Sequence, residues 1–491
     1  MAADRDTPQF GWNLDASYAR LPAALFEPAA FAEFPEPRLV AWNEALAAEL
    51  GLDPRACDAA LFAEQLAGRS PIAGAVPIAQ AYAGHQYGHF TMLGDGRAIL
   101  IGEQIAPDGT RRDLHAKGSG ETPFSRRGDG RAALGPMLRE HIVGEALHGL
   151  GIPTTRALAV LTTGERVMRD GAKRGAVLVR VAASHIRVGT LQYAAATGDL
   201  GALRALADHA IARHDPDLAD RPDRYARFLE RVIARQAELI ALWQSVGFVH
   251  GVMNTDNMAV SGETIDLGPC ALLDAYDPDA VFSSIDRHGR YRSGQQPAVA
   301  QWNLARFAEA LVPILAEDEA VAVALANEAL AGFAPAYRAA WLARMRAKIG
   351  LAAEHEGDDR LVHDLLDAMH GARADFTIAF RALSESDAPD APPFDGEAGR
   401  AWITRWRARL EAEGRGLADA RAAMRAVNPA VIARNHRVEE ALAAAEEHDD
   451  LRPTQELVAA LSRPFDPPAR LAHLREPPPA EWCGYRTFCG T

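Results

Sequence analysis

His250-Gly-Val-Met-Asn-Thr-Asp-Asn257 is the stretch on which the reading of this chain turns. It follows a long amphipathic run, Arg224–Val246, in which Tyr225, Leu229, Val232, Ile233, Leu239, Ile240 and Trp243 share one side at helical spacing. Gly247 ends that run. A second polar element, Ile265-Asp-Leu-Gly268, comes soon after, in a short β-like stretch around Thr264. Asn257 and Asp266 are hard oxygen ligands of the kind that hold a divalent ion, most of whose remaining ligands come from phosphates and water.

Working back toward the N-terminus, the pattern changes from helical to extended. Residues 97–104 read as a strand, Pro107-Asp-Gly-Thr110 as a turn, and Asp113-Leu-His-Ala-Lys117 as the returning strand. Residues 134–150 read as a helix with Pro136 in its first turn and Gly151-Ile-Pro153 as its stop. Two more strand regions follow, at 157–161 with 166–169 and at 175–182. Strands, one helix, strands and then mostly helices give an α+β chain with a protein-kinase-like two-lobe fold. The expected divisions are an N-terminal extension over 1–80 (with a predicted helix at 39–52), a kinase-like N-lobe over 81–195 and a helical C-lobe over 196–385. A Pro- and Asp-rich linker at 386–396 precedes a helical C-terminal extension with a Cys-containing tail at 397–491.

Three features fit that layout. Lys117 ends a strand, where a compact ammonium suits phosphate oxygens. Glu140 and Glu145 in the following helix are its candidate partners. They lie about 140° apart on an ideal helix, so periodicity does not choose between them. In the 250–257 loop, His250 and Asn257 match the kinase catalytic-loop spacing, but Val252 stands where the catalytic Asp belongs. Asp256 supplies a carboxylate elsewhere in the same loop. Asp266 resembles the Asp of the metal-binding Asp-Phe-Gly element. No GxGxxG loop is present. Gly94-Asp-Gly96-Arg97 and Gly128-Asp-Gly130-Arg131 instead offer small residues and arginines near a nucleotide. Arg180 and Arg187 flank Ser184-His-Ile.

Composition bounds the alternatives. The 491 residues are 48% hydrophobic and 24% charged, with a net charge of −14. That balance describes a globular chain and argues against nucleic acid as the main partner. No stretch has the roughly 18 uninterrupted apolar residues of a membrane span, and the N-terminus lacks a signal pattern. A soluble, cytoplasmic protein is expected. Lys117, Lys173 and Lys348 are the sole lysines beside many arginines, which makes Lys117 informative. Four cysteines, Cys57, Cys270, Cys483 and Cys489, do not form a disulfide scaffold. His85 and His89 are four apart, but their Gly-rich context argues for a loop rather than a metal-binding helix.

These blocks resemble the selenoprotein O family, known in bacteria as the YdiU proteins. The resemblance rests on Ala83-Gly-His-Gln-Tyr-Gly-His89, Leu93-Gly-Asp-Gly-Arg97, Lys117-Gly-Ser-Gly-Glu-Thr-Pro-Phe-Ser125, Arg127-Gly-Asp-Gly-Arg131, Ser184-His-Ile-Arg187 and Gly247-Phe-Val-His-Gly-Val-Met-Asn-Thr-Asp-Asn-Met258. It implies a pseudokinase that transfers AMP from ATP, or UMP from UTP, to Ser, Thr or Tyr hydroxyls of proteins with Mg²⁺ or Mn²⁺. The nucleotide lies reversed relative to a kinase. By resemblance, Lys117 binds phosphate and pairs with Glu140. Gly94, Gly96, Arg97, Asp129 and Gly130 line the nucleotide, Arg180 and Arg187 hold the outer phosphates, Asn257 and Asp266 bind the metal, and Asp256 is the general base. By resemblance the tail Cys489 corresponds to the family's selenocysteine position, and a redox role is weighed for Cys270, Cys483 and Cys489, with a Cys270–Cys489 bond competing with Cys483–Cys489 and either requiring Cα atoms within about 7 Å. A phosphotransferase and a non-catalytic nucleotide-binding pseudokinase stand as alternatives. Val252 weighs against the first, and retention of Lys117, Asn257 and Asp266 against the second.

Overall fold

The computed structural model describes residues 10–53, 59–386, 389–479, 482 and 484–487. Among these the chain is mixed α/β, built around a large antiparallel sheet. Strand β1 is Leu14–Asp15, β2 Phe26–Pro28, β3 Arg38–Trp42, β4 Ile78–Gln80, β5 Ala83–Gln86, β6 His89–Met92, β7 Ala98–Ile105, β8 Arg111–Lys117, β9 Ala132–Ala133, β10 Arg156–Arg169 and β11 Gly171–Ala182. The main sheet runs β2-β4-β7-β8-β11-β10-β3, with β1 beside β7 and β9 beside β11, while β5 and β6 form a separate hairpin. The first 80 residues therefore supply strands to both edges of this sheet.

The β7–β8 turn has a local cause. Asp108 accepts hydrogen bonds from the backbone N–H and hydroxyl of Thr110, and Gly109 takes the left-handed conformation the turn requires. Residues 39–52 correct the helix expected there. Arg38–Trp42 is a strand paired with β10, and only Glu44–Glu49 is helical, capped by Asn43 accepting from the Leu46 N–H at 3.1 Å. Leu39, Val40 and Trp42 suit a strand packed on its neighbours, and the Asn cap fixes where the helix begins.

Strand alternation separates two cores and exposes a polar seam. Leu114, Ala116, Val177, Val179 and Val181 face one core together with Phe62 and Leu66. Ala176 and Leu178 face the other, against helix Leu134–Gly149. Asp113, His115, Lys117 and Arg180 occupy the alternating positions on the Leu178 side. Arg180 lies directly opposite His115, and Lys117 opposite Leu178.

Helix Leu134–Gly149 packs on β10 and β11, and helices Asn435–His448 and Arg452–Leu461 cover its other side. That double coverage explains why it is buried almost all round. Helix Arg224–Val246 forms as expected and ends at Gly247 in a left-handed turn. Residues Glu319–Lys348 include a window apolar enough by composition to cross a membrane. The second of its two helices, Phe333–Lys348, packs along Arg224–Val246.

Candidate active site

Lys117 is buried at the end of β8, and its Nζ donates to Glu140 and, at 2.9 Å, to Asp266 Oδ1. Glu145 turns instead to Arg156, which meets it through two bonds of 2.9 Å. The structure thus separates the two glutamates that helical periodicity leaves equivalent.

Asp266 gathers the cations. Its Oδ1 also accepts from Arg180 Nη1 at 2.9 Å. Burial pushes this carboxyl up, but Lys117, Arg180 and Arg187 outweigh it and hold the acid well below its ordinary range. Asp266 adopts a left-handed backbone (φ 61°), a conformation Asp tolerates better than most residues.

Two Asp–His pairs grip Arg180 from behind. Its Nε lies 3.2 Å from His185 Nε2, and its Nη2 lies 3.3 Å from His115 Nδ1. His115 Nε2 faces Asp95 at 3.0 Å, and His185 Nδ1 faces Asp113 at 3.3 Å. Both imidazoles must be neutral to accept from a guanidinium, with their N–H groups directed at the aspartates. Burial lowers the pKa of each, consistent with that state. The rings stack at 4.3 Å. This arrangement was missed in the sequence, although polar residues at alternating positions of an otherwise apolar strand were the available signal.

Arg187 lies over the Tyr82 ring at 4.3 Å and 3.9 Å from Asp95, with its buried Nε lacking a hydrogen-bond partner. Burial opposes its charge, but Tyr82, Asp95, Asp266 and Asp256 raise its pKa further.

Asp256 stands in the turn Thr255–Asn257, buried, and its Oδ1 has no hydrogen-bond partner. Burial pushes its pKa up to about 6, while backbone hydrogen bonding, Arg187 and Gln86 oppose the shift. Two glycines make its place: a Cβ on Gly84 would fall 2.1 Å from Oδ1, and one on Gly189 would fall 3.2 Å from its Cα. Asn257 donates Nδ2 to the Val252 carbonyl at 2.9 Å, so Oδ1 is left as its ligand atom. His250 is buried and ties the loop to Ile265 O through Nε2 at 2.8 Å, a bracing role rather than a proton-transfer one.

The nucleotide-lining candidates divide. Residues 94–97, 118–125 and 128–131 lie against one another: Thr122 Oγ1 donates to Asp95 O at 2.6 Å, and Ser125 to Gly96 O. The Arg97 carbonyl accepts from Gly118 N–H at 2.7 Å. Gly94 and Gly96 approach Phe124 so closely that a Cβ on either would collide, and a Cβ on Gly130 would sit 2.1 Å from the Gly120 backbone. Asp129 forks onto Arg169, at 2.9 and 3.0 Å. Arg131 pairs with Glu165 at 3.0 Å and covers Phe34.

Cys270 is a buried thiol that donates to Leu267 O, and burial pushes its pKa up to about 12, which leaves little thiolate. Cys57, Cys483 and Cys489 lie outside the described residues. His85 and His89 stand on β5 and β6, and His85 Nδ1 contacts Gln192 at 3.0 Å. They form a hairpin rather than the loop expected. Among the described residues no cluster of three His, Cys, Asp or Glu suits a metal. The oxygens of Asn257 and Asp266, beside the unpartnered Asp256 Oδ1, suit a hard ion that completes its shell from phosphate and water.

Lys117 and Arg180 donate to one carboxylate that Arg187 also stabilises electrostatically, and Asp256 adds an unsatisfied buried acid, a combination of charges that suits phosphate chemistry. Comparison with known proteins makes the class specific. Residues 10–462 match the family described as protein adenylyltransferase SelO. A protein nucleotidyltransferase YdiU of Halalkalibacterium halodurans is 53% identical over 493 residues, covering all of both chains. Counterparts of the same name from Methylorubrum extorquens and Geobacillus kaustophilus are 55% and 54% identical, covering 97% and 98% of this chain and 99% of each relative. The chain belongs to the SelO family of protein adenylyltransferases.

Proposed function

We propose that this protein is a two-lobe, kinase-like adenylyltransferase that moves AMP from ATP to a protein Ser, Thr or Tyr hydroxyl, and that it also accepts UTP. Asp256 takes the acceptor proton, the hydroxyl oxygen bonds to the α-phosphorus, the α–β bridging P–O bond breaks, and pyrophosphate departs. The observation carrying this reading is Asp256 itself: a buried carboxylate with a free oxygen and a pKa near the working range of a general base. Lys117, fixed by Glu140, and Arg180 and Arg187 hold phosphate oxygens, and the glycine turns at 94–96 and 130, with Arg97 and Asp129, line the nucleotide. Placing these cations around the outer phosphates leaves the α-phosphorus toward Asp256, the reverse of a kinase. Asn257 and Asp266 would hold Mg²⁺ or Mn²⁺, which when bound neutralises charge on the phosphates.

ATP labelled at the α- or the γ-phosphate tests the assignment. Protein labelled only from the α position is expected, with Asp256→Ala and Asp266→Ala each abolishing it. Label arriving from the γ position would make the enzyme a phosphotransferase.

A further inference from the structure

A groove of about 580 Å³ is lined by Tyr87, Ile285, Arg287, Arg290, Val299 and Trp302 among others. Its walls are fastened to the residues that precede the base. Tyr87 N–H and Tyr291 O–H both donate to Asn254 Oδ1, at 3.1 and 2.7 Å, and His85 N–H donates to Thr255 Oγ1 at 2.8 Å. The His85 ring meets Trp302 edge-on at 5.2 Å, so contact is continuous from Asp256 to the groove. The apolar wall is open: Ile285 is 57% exposed.

The charge of the groove runs against that of the chain. Arg290 lies over Trp302 at 4.8 Å, its buried Nε without a hydrogen-bond partner, and Arg287 is exposed. Neither has a carboxylate partner among the described residues. Asp286, which also lines the groove, is buried and accepts from the backbone N–H groups of Arg290 and Tyr291, while Asp279 pairs with Arg292. Two uncompensated guanidiniums beside an exposed apolar side chain, on a chain of net charge −14, are a selective feature.

Building on the adenylyltransferase reading, we infer that this groove docks the acceptor protein and selects a segment carrying acidic residues and an apolar side chain next to the acceptor hydroxyl. Carboxylates pair with Arg287 and Arg290, and the apolar residue covers Ile285 and Trp302. Two cations are too few for a nucleic-acid track, whose affinity depends on many phosphate contacts.

Matched single-Ser peptides with Glu-Leu or Lys-Leu flanks, assayed for label from α-labelled ATP, provide the test. The wild-type kcat/KM is expected to be about tenfold or more higher for the acidic peptide, in keeping with one or two ion pairs. Arg287→Glu with Arg290→Glu should reverse that preference. ATP affinity, measured by calorimetry, should stay within about threefold and report an intact fold; Arg287→Ala provides a milder second variant and should narrow the preference. Equal use of both peptides, or a preference untouched by charge reversal, overturns the docking inference and leaves adenylyl transfer standing. An enzyme that binds ATP yet labels no peptide and no protein overturns both.

Discussion

Replacing Gly84 with Ala tests whether the position of Asp256 is set by close packing. The added methyl would sit 2.1 Å from Asp256 Oδ1 and 2.6 Å from Cγ. Ordinary carbon contacts begin near 3.4 Å, so one partner must retreat by roughly 1 Å or more. Neither can do so freely. Gly189 already packs behind Asp256, where a Cβ would lie 2.0 Å from Ala83 O, and β5 is anchored to Thr255 through the His85 N–H. The carboxylate must therefore turn away from its position or β5 must lift from the loop. A displacement of about 1 Å at a reacting group costs on the order of 10²-fold in rate. The expected result is a fall of about 100-fold in kcat for protein labelling from α-labelled ATP. ATP affinity should stay within about threefold, because the atoms the added methyl meets first are those of Asp256, not of Lys117 or Arg180. Overpacking of this kind destabilises by about 1–3 kcal/mol, so a folded variant is expected and a thermal unfolding curve checks it. Gly371→Ala is the control, since a Cβ there meets nothing within 4 Å and the backbone is unstrained. A Gly84→Ala enzyme working at the wild-type rate would refute the packing argument.

Other consequences follow from the same geometry. Glu140→Gln should weaken ATP binding about tenfold by releasing Lys117, whereas Glu145→Gln should spare ATP affinity and lower stability by about 1–2 kcal/mol, since Arg156 keeps Glu49 as its charge partner; calorimetry and denaturant melts separate the two, and an ATP defect in Glu145→Gln would contradict the pairing. His185→Phe removes an acceptor from Arg180 and should raise the KM for ATP several-fold with a smaller change in kcat, while His185→Gln, which keeps an acceptor, should recover part of the loss; identical kinetics for the two would deny the positioning role. Glu263 is largely buried, with its side chain 13% exposed, accepts from the Ala183 N–H, and its pKa is pushed up to about 7 by desolvation. A carboxyl raised in the folded state binds a proton that the unfolded chain has already lost, so stability is greatest below about pH 4.5 and falls as pH rises through about 7. Glu263→Gln should therefore be more stable than wild type at pH 8, by up to about 3 kcal/mol, and lose that advantage near pH 4; a pH-independent difference in melting would count against it.

What the sequence made legible was local chemistry, and what it hid was pairing across distance. Lys117, Asn257 and Asp266 stood out because each closes or follows a regular element whose apolar period is readable. Glu140 and Glu145 could not be ranked, because helix Leu134–Gly149 is covered on both sides and an inward-facing stripe ceases to discriminate. The choice is made by Arg156, a residue of another strand. Residues 39–52 failed for the same reason, since the partner β10 decides that Leu39 and Trp42 extend. Asp129, expected to line the nucleotide, is engaged by Arg169 from the far end of β10. The two Asp–His pairs are the instructive case. Asp113, His115 and Lys117 alternate along β8 while Leu114 and Ala116 face the opposite core, so a period-two reading places an acid, an imidazole and an ammonium on one buried face. Burying three polar groups in a row is costly unless a counterpart strand satisfies them. Arg180, opposite His115 in register, is that counterpart, and its Nη1 turns to Asp266. The seam that Lys117 advertised thus extends beyond the motif, and the orientation of Arg180 is set by the same strand that carries the lysine.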